Sequence, residues 1–347
     1  MGLPIEPACL PLLLGSLPHW NTAQALELSR RYAGKLLAWP QLPGRSFREQ
    51  NFVQSAIGFP GLVIDMSQSR VYVDRKAAER DLDRLALAYL KHDLEYAALS
   101  PEDAASFQEL LRQGEHLRQA LALKGQVIGP ISLATYLVDD LQRPLIYDKV
   151  LREALCQHLY LRAAWQDARL AERGLPTIIC IDEPFLETAA LPFLPLDWQE
   201  MRDQIDEVLS GVRGCKAIFA GGAVDWSAVF QTSVELAIAD VYEHGQHFVD
   251  AAEDLVAFLE RDGMVGLGII PTDEVVLQQT SASTVVERLA ELLGTLEARG
   301  VAVEKLLRRA VVSPSSSLEW LSIEAAEQAL RLLDEVSHML RDLYALS

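Results

Sequence analysis

The stretch AIFAGGAVDW, residues 217–226, contains the unit on which the fold of the chain is built. Its apolar residues predict a short buried strand, its two glycines a turn, and the residues that follow a helix. In a barrel made of such units, the turn after each strand lies at the end that carries the chemistry. No side chain from Phe219 to Ala223 can bind a metal ion or move a proton. The chemistry of this chain therefore either comes from other loops or is missing.

Seven further short apolar runs alternate with long stretches whose apolar residues recur at spacings of three and four, as in 77–99 and 284–300. This alternation predicts an α/β fold, a (β/α)8 TIM barrel. A doubly wound open sheet is the alternative, because alternation alone does not prove that the sheet closes. The eight predicted strands are Leu12–Leu14, Leu36–Trp39, Val127–Ile128, Thr177–Ile181, Lys216–Phe219, Leu236–Val241, Met264–Ile269 and Ala310–Val312.

A segment of about 41–123 separates the second predicted strand from the third. It contains one additional predicted strand, GLVID at 61–65, and two predicted long helices. We interpret it as an insertion into the barrel, so that residues 1–347 form a single barrel domain. A helix start is predicted at Ser322, which precedes acidic residues in SIEAAEQAL.

The composition restricts the partners that the chain can have. There are 31 Lys and Arg residues against 49 Asp and Glu residues, a net charge of −18. Such a surface repels phosphate backbones and anionic lipid, so we expect no nucleic-acid or membrane partner. The first twenty residues contain no Lys or Arg and make a poor signal peptide. Together with four cysteines that form no CxxC pair, this predicts a cytoplasmic protein with reduced thiols.

Four strand-end loops carry the most specific motifs: GSLPH at 15–19, IGPIS at 128–132, IDEPFLE at 181–187 and VVSPSSSLEW at 311–320. In this order they resemble the catalytic barrel of cobalamin-independent methionine synthase, in particular its short single-barrel relatives. More distantly they are similar to uroporphyrinogen decarboxylase and corrinoid-linked methyltransferases. The resemblance covers nearly the whole chain. It implies methyl transfer to the thiol of homocysteine, which a zinc ion activates by stripping the thiol proton.

The resemblance also assigns positions to the zinc ligands. The His and Cys of the family's H-x-C pair fall on Phe219 and Gly221, the glutamate on Glu243, and the last cysteine on Ser316. Only Glu243 can bind zinc, so the zinc site is degenerate and we expect no zinc in the ordinary position. The motif EHGQH at 243–247 is either a rebuilt metal site or a solvated loop.

The substrate-binding positions implied by the resemblance are better preserved. Ser16 and His19 follow the first strand, and Asp182 and Glu183 end the fourth. The family's aspartate, here Asp182, binds the ammonium group of the amino acid substrate, a contact that needs an acceptor-only side chain. The alternatives are a turn serine, a surface histidine and carboxylates that favour a helix N-terminus. No catalytic residue can be named.

The leading hypothesis is a methionine synthase-like methyltransferase that methylates a thiol such as homocysteine without the usual zinc ligands. A corrinoid protein is favoured over folate as the donor, because the chain lacks the second barrel of the long enzyme. The alternative is a non-catalytic member that binds a small amino acid or a corrinoid partner. A decarboxylase is disfavoured, since only Arg45 and Arg48 could meet a substrate with many carboxylates.

Overall fold

The computed structural model of the chain describes residues 5–114, 117–190 and 196–346. Eight strands form one sheet in which neighbouring strands pair in parallel, and two further strands form a separate hairpin. The strands are β1 (Leu10–Pro11), β2 (Leu36–Ala38), β3 (Leu62–Asp65), β4 (Arg70–Val73), β5 (Ala122–Ile128), β6 (Thr177–Glu183), β7 (Cys215–Ala220), β8 (Leu236–Asp240), β9 (Met264–Ile270) and β10 (Ala310–Pro314).

The order of strands in the large sheet is β1-β10-β9-β8-β7-β6-β5-β2. The chain therefore winds around the sheet in one direction, whereas the strand order of a doubly wound sheet reverses at a switch point. The loops after β1 and β2 also meet, because the backbone N–H of Leu17 donates to the carbonyl of Gln41 at 3.0 Å. The predicted (β/α)8 barrel is confirmed, with a nearly closed sheet.

Helices surround the barrel and follow its strands. Ser322 caps the last helix, since its hydroxyl accepts from the backbone N–H of Ala325. The helices are α1 (Thr22–Ala33), α2 (Asn51–Ala56), α3 (Arg75–Lys91), α4 (Ala105–Arg112), α5 (Pro130–Tyr136), α6 (Lys149–Ala171), α7 (Trp198–Ser210), α8 (Trp226–Phe230), α9 (Val241–Asp250), α10 (Ala252–Glu260), α11 (Glu274–Gln279), α12 (Ala282–Ala298), α13 (Val303–Arg308) and α14 (Ile323–Leu343). Within the described residues, none of them is both long and apolar enough to cross a membrane.

The insertion between β2 and β5 differs in detail from its prediction. The predicted strand at 61–65 pairs antiparallel with β4, which satisfies backbone groups that a lone strand would leave free. Of the two predicted long helices, α3 has 17 residues and α4 has only 8. Helix α3 ends because His92 adopts a left-handed conformation with φ of 53°.

The barrel interior contains a cluster of buried apolar residues that is separate from the larger core between the sheet and the helices. Strand β5 contributes two polar side chains, Lys124 and Gln126, to this interior, and both are buried. These two residues interrupt the apolar pattern, which is why the predicted strand covers only Val127 and Ile128. The polar groups in the interior lie just below the end of the barrel at which the strands finish.

Candidate functional site

A cavity of about 160 Å³ opens at the carboxyl ends of the strands, and we call it the barrel-mouth cavity. Larger clefts of about 610 and 700 Å³ lie near the strand starts, where barrel enzymes do not place their chemistry. The barrel-mouth cavity is therefore the candidate site. It is lined by Leu14, Ser16, Asn51, Phe52, Ile128, Asp182, Pro184, Phe185, Phe219, Ser316, Ser317, Glu319 and Trp320.

Asp182 provides a buried carboxyl group on the wall of this cavity. It occupies the sixth position of β6, on the same face as Cys180, and it is 9% exposed. Its Oδ1 atom has no hydrogen-bond partner among the described residues. Burial raises the pKa of Asp182 to about 6, an effect that the positive charge of Lys124 opposes. A buried acceptor without a partner is costly, so this oxygen is available to a donor on a ligand.

Lys124 lies beneath the cavity, inside the barrel, and is fully buried. Its Nζ donates to the carbonyl of Leu14 at 2.7 Å and to Oε1 of Gln126 at 3.3 Å. Leu14 also lines the cavity, so the ammonium group is just below the cavity floor. Among the described residues, no carboxylate is within 4.0 Å of this nitrogen. Lys124 therefore acts on Asp182 through its charge and favours the ionised carboxylate.

Glu319 provides a second carboxyl group and is a residue that the sequence did not single out. It lies in the 3-10 turn Leu318–Trp320 after β10, and its Oε2 atom is buried with no hydrogen-bond partner among the described residues. Burial raises the pKa of Glu319 to about 7. The hydroxyl of Ser16 opposes this rise by hydrogen bonding, and the nearby negative charge of Asp182 adds to it.

Ser16 connects the cavity to the insertion through side-chain amides. Its hydroxyl donates to Oε1 of Gln41 at 3.1 Å, and the amide nitrogen of Gln41 donates to Gln54 at 2.8 Å. The amide of Gln54 in turn donates to the backbone carbonyl of Asp103 at 2.6 Å. The hydroxyl has one proton, so a bond to Glu319 competes with the bond to Gln41. Residues of the insertion thereby help to hold Ser16 at the cavity.

Glu183 is adjacent to Asp182 in sequence but points to the opposite face of the strand. Its carboxylate accepts from the backbone N–H groups of Ile131 at 3.0 Å and Ser132 at 2.7 Å, at the start of α5. A Cβ atom at Gly129 would be 2.3 Å from this carboxyl group, so only glycine leaves room for it. Burial raises the pKa of Glu183 to about 7. The structure thus places Glu183 at a helix N-terminus and not on the cavity.

His19 is also placed away from the cavity. It is buried rather than on the surface, and its Nε2 atom is 3.6 Å from Oε1 of Glu327 on α14. Burial lowers the pKa of His19, and Glu327 opposes this effect. Of the four predicted substrate-binding residues, the structure brings Ser16 and Asp182 together at the cavity and leaves His19 and Glu183 outside its lining.

The four positions that correspond to zinc ligands do not form one site. Phe219 and Ser316 line the cavity, and Gly221 lies beside Pro184 at its edge. Glu243 is exposed in the first turn of α9 and does not line the cavity. In the part of the chain that the structure describes, no group of three or more His, Cys, Asp or Glu residues could hold a metal ion. The residues present do not fit a zinc ion.

The motif at 243–247 lies in the middle of α9, which is kinked at His244. The rings of His244 and His247 are 6.4 Å apart, and the nearest carboxylate of His244 is that of Asp240 at 4.0 Å. Among the described residues, Glu243 forms no ion pair with either histidine. The described geometry therefore fits the solvated alternative better than a rebuilt metal site.

The remaining walls of the cavity are apolar and aromatic. Phe52 stacks on Phe185 with ring centroids 5.4 Å apart, and Tyr136 lies 4.3 Å from Phe52 on the other side. Trp320 is 78% exposed at the rim. No Lys or Arg is among the lining residues. The cavity therefore offers two carboxyl groups, a few neutral polar groups and apolar surface to a ligand.

Known structures share this fold. A methyltransferase from Methanosarcina mazei matches 92% of this chain and 86% of its own, with a TM-score of 0.55 and 13% identity, and this similarity shows the fold alone. A candidate vitamin-B12-independent methionine synthase from Listeria monocytogenes matches 68% of this chain and 69% of its own (TM-score 0.43, 12% identity). A GH113 β-mannanase from Alicyclobacillus acidocaldarius matches 68% and 79% (TM-score 0.38, 12% identity).

A scan against protein-family models and a search of curated proteins give no match. The fold and the position of the cavity thus define a barrel of the type that the Methanosarcina methyltransferase shares. A shared fold does not determine function, which depends on the side chains at the site.

Proposed function

We propose that the barrel-mouth cavity binds a small molecule that carries an ammonium group, such as an amino acid, and that the chain methylates a thiol of this molecule. The observation that carries the proposal is the pair of carboxyl groups of Asp182 and Glu319 on one small cavity. Each has a buried oxygen without a hydrogen-bond partner among the described residues. An ammonium group supplies three N–H donors and a compensating positive charge.

The size and lining of the cavity restrict the ligand further. Pockets for drug-sized ligands usually measure ~300–1,000 Å³, whereas this cavity measures about 160 Å³. An amino acid with a short apolar or sulfur-containing side chain suits this volume and the aromatic walls. A molecule as large as a porphyrinogen does not. Arg45 and Arg48, the residues considered for such a substrate, form ion pairs with Glu49 and Asp103 of the insertion.

The two carboxyl groups have different surroundings, which suggests different roles. Lys124 favours the ionised form of Asp182, and the charge of Asp182 in turn favours the protonated form of Glu319. Neighbouring acids whose pKa values are pushed apart by their environments commonly divide binding and proton transfer. We assign ammonium binding to Asp182 and proton transfer to Glu319, whose pKa of about 7 suits work at neutral pH.

The chemical step then proceeds without a metal ion that activates the thiol. The thiol proton moves to the ionised carboxylate of Glu319, and the sulfur forms a bond to the methyl carbon of the donor. The bond between that carbon and the donor breaks, and its electron pair stays with the donor. Methyl transfer as the reaction class rests on the resemblance of the loops and on the fold shared with the Methanosarcina methyltransferase. A methylated corrinoid protein is the proposed donor, with a methylated folate as the alternative.

The test combines binding and turnover in three proteins: the native chain, Asp182→Asn and Glu319→Gln. Homocysteine binding is measured by calorimetry, and methyl transfer is measured with methylcobalamin and with a methylated folate. We expect Asp182→Asn to lose binding, and Glu319→Gln to keep binding but lose turnover. Turnover by Glu319→Gln at the native rate would contradict its role. A native chain that neither binds homocysteine nor is stabilised by any amino acid would contradict the proposal as a whole.

A second candidate function is ligand binding without catalysis. It is favoured by the apolar ring of Phe219, which stands at a zinc-ligand position and fills part of the cavity wall. Such a member would bind an amino acid or a corrinoid partner and release it unchanged. This function is supported if the chain binds homocysteine but methylates it with neither methylcobalamin nor a methylated folate.

A further inference from the structure

We propose that a second cleft, at the opposite end of the barrel, binds a small phosphorylated molecule. This rear cleft measures about 370 Å³ and lies between the last turns of α1 and α14 and the starts of β1 and β2. The residues that define it here are Arg30, Arg31, Lys35, Asp334, His338 and Arg341. Its volume is in the usual range for small-molecule sites. It shares no lining residue with the barrel-mouth cavity.

The charge of the rear cleft is opposite in sign to that of the whole chain. Four Lys or Arg side chains line it, against the single carboxylate of Asp334. The chain as a whole carries −18. A concave surface of one sign concentrates counter-ions, so a small anion is attracted here although the rest of the surface repels it.

Three of these cations have no carboxylate partner among the residues that the structure describes. Arg30 pairs with Glu27, but Arg31, Lys35 and Arg341 form no ion pair with any carboxylate of the described residues. The guanidinium of Arg31 lies 5.2 Å from the ring centre of Tyr32. One nitrogen of Arg341 donates to the carbonyl of Ala8 at 2.7 Å, which fixes the side chain. The field of the helix C-termini favours cations at the ends of α1 and α14, but it does not explain Lys35, which precedes β2.

The arrangement selects the chemical class of the ligand. The three cations come from α1, from the residue before β2 and from α14, so they approach from different sides. A carboxylate offers two oxygens in one plane, which one arginine can satisfy. A phosphoryl group offers at least three oxygens and up to two charges, and it can meet all three cations together. A nucleic acid is disfavoured, because a long polyanion would extend beyond the cleft over a chain with a net charge of −18.

The test is a calorimetric titration of the full chain with pyrophosphate, inorganic phosphate and succinate at one fixed ionic strength. We expect pyrophosphate to bind most tightly and succinate least. The variant carrying Arg31→Gln and Lys35→Gln is expected to weaken pyrophosphate binding by about tenfold or more. A control with the same charge change, Arg112→Gln and Lys149→Gln, alters residues that are 71% and 75% exposed outside the rear cleft.

The outcomes are distinguishable from those for the barrel-mouth cavity. Asp182→Asn is expected to bind pyrophosphate as the native chain does, because Asp182 lies at the other end of the barrel. Equal loss of binding in the control and in the double variant would show that only the net charge matters and would overturn the proposal. Succinate binding as tight as that of pyrophosphate would overturn the preference for phosphoryl groups.

Discussion

The two halves of the barrel mouth are built differently. On one side, the end of β6 and the segments after β1 and β10 bring Asp182, Ser16 and Glu319 together, and all three line the cavity. On the other side, the end of β7 presents the ring of Phe219, and α9, which follows β8, carries Glu243, whose carboxylate faces solvent. The first half keeps buried groups that can bind an ammonium ion, and the second offers no metal ligand to the cavity.

The difference means that the proposed amino-group site does not depend on metal donors from the other half of the mouth. In this fold each loop contributes separately to the mouth, so changes after β7 need not disturb Asp182 on β6. A similar separation holds within one strand. Asp182 faces the cavity with an oxygen that lacks a partner, while Glu183 faces the helices and is bonded to two backbone N–H groups.

The largest expected effect concerns Glu183 and the stability of the fold. Glu183→Ala leaves two buried N–H groups at the start of α5 unsatisfied and opens a gap beside Gly129. We expect the free energy of unfolding to fall by about 3 kcal/mol. Urea denaturation measures this, with Glu183→Gln as the control that keeps an acceptor. A loss below about 0.5 kcal/mol, as for an ordinary surface residue, would show that Glu183 is not a helix anchor.

The next effect concerns ligand binding by Asp182. Asp182→Asn removes the negative charge that meets the ammonium group, and we expect affinity for homocysteine to fall by about 30- to 100-fold, or 2–3 kcal/mol. The stability of the fold should change little, because no hydrogen bond to this carboxylate is lost at Oδ1. Calorimetry of the variant and the native chain provides the comparison. Unchanged affinity would show that Asp182 does not bind the ammonium group of the ligand.

Lys124→Met tests the charge beneath the cavity. Lys124 holds the pKa of Asp182 below the value that burial alone would give, so its removal raises that pKa above about 6. More of Asp182 is then protonated at pH 7, and ammonium binding should weaken by about tenfold and recover as the pH rises. The measurement is homocysteine affinity as the pH rises from about 6, the pKa of Asp182 in the native chain. A loss of affinity that no pH restores would point to structural damage instead.

Glu319→Gln tests the second acid through the pH dependence of stability. The pKa of Glu319 is about 7 in the folded chain and 4.5 ordinarily, so the folded state holds this proton over a range in which the unfolded state has lost it. Its contribution to stability is complete below pH 4.5 and is lost as the pH rises towards 7. The stability of Glu319→Gln relative to the native chain should therefore increase over this range. Thermal unfolding at several pH values measures it, and Glu304→Gln, at a 76% exposed glutamate, should show no such trend.

The smallest effect is expected in the other half of the mouth. Glu243 is exposed and its side chain is not part of the cavity. Glu243→Ala should change stability by less than about 0.5 kcal/mol and leave homocysteine affinity unchanged. Elemental analysis of untagged protein accompanies this variant. If the native protein contains about one zinc ion per chain and Glu243→Ala contains none, the second half of the mouth does bind a metal ion and the comparison is wrong.

Much of the barrel could be predicted, because its buried strands are short runs of apolar residues that can be recognised in the sequence. The start of β5 could not, since Lys124 and Gln126 have the polarity of exposed residues although they face the barrel interior. The partner of β3 was also missed, because Arg70–Val73 alternates too briefly to be recognised. Pairing with β3 supplies the hydrogen bonds that define it.

The candidate site could be predicted where a strand fixes the side chain. Alternation along β6 puts Cys180 and Asp182 on the inner face, and it thereby puts Glu183 on the other. Glu319 follows a strand by several residues, and a 3-10 turn decides its direction, which no periodicity reveals. The burial of His19 depends on packing against Glu327, more than 300 positions away in the sequence.

The most direct test of the ammonium site compares two ligands that differ in one group. Homocysteine and its analogue without the amino group, 4-mercaptobutyrate, are titrated into the native chain under the same conditions. If Asp182 recognises an ammonium group, homocysteine binds and the analogue binds at least about 30-fold more weakly. Equal affinity for the two ligands, or tighter binding of the analogue, would show that Asp182 does not form an ammonium site.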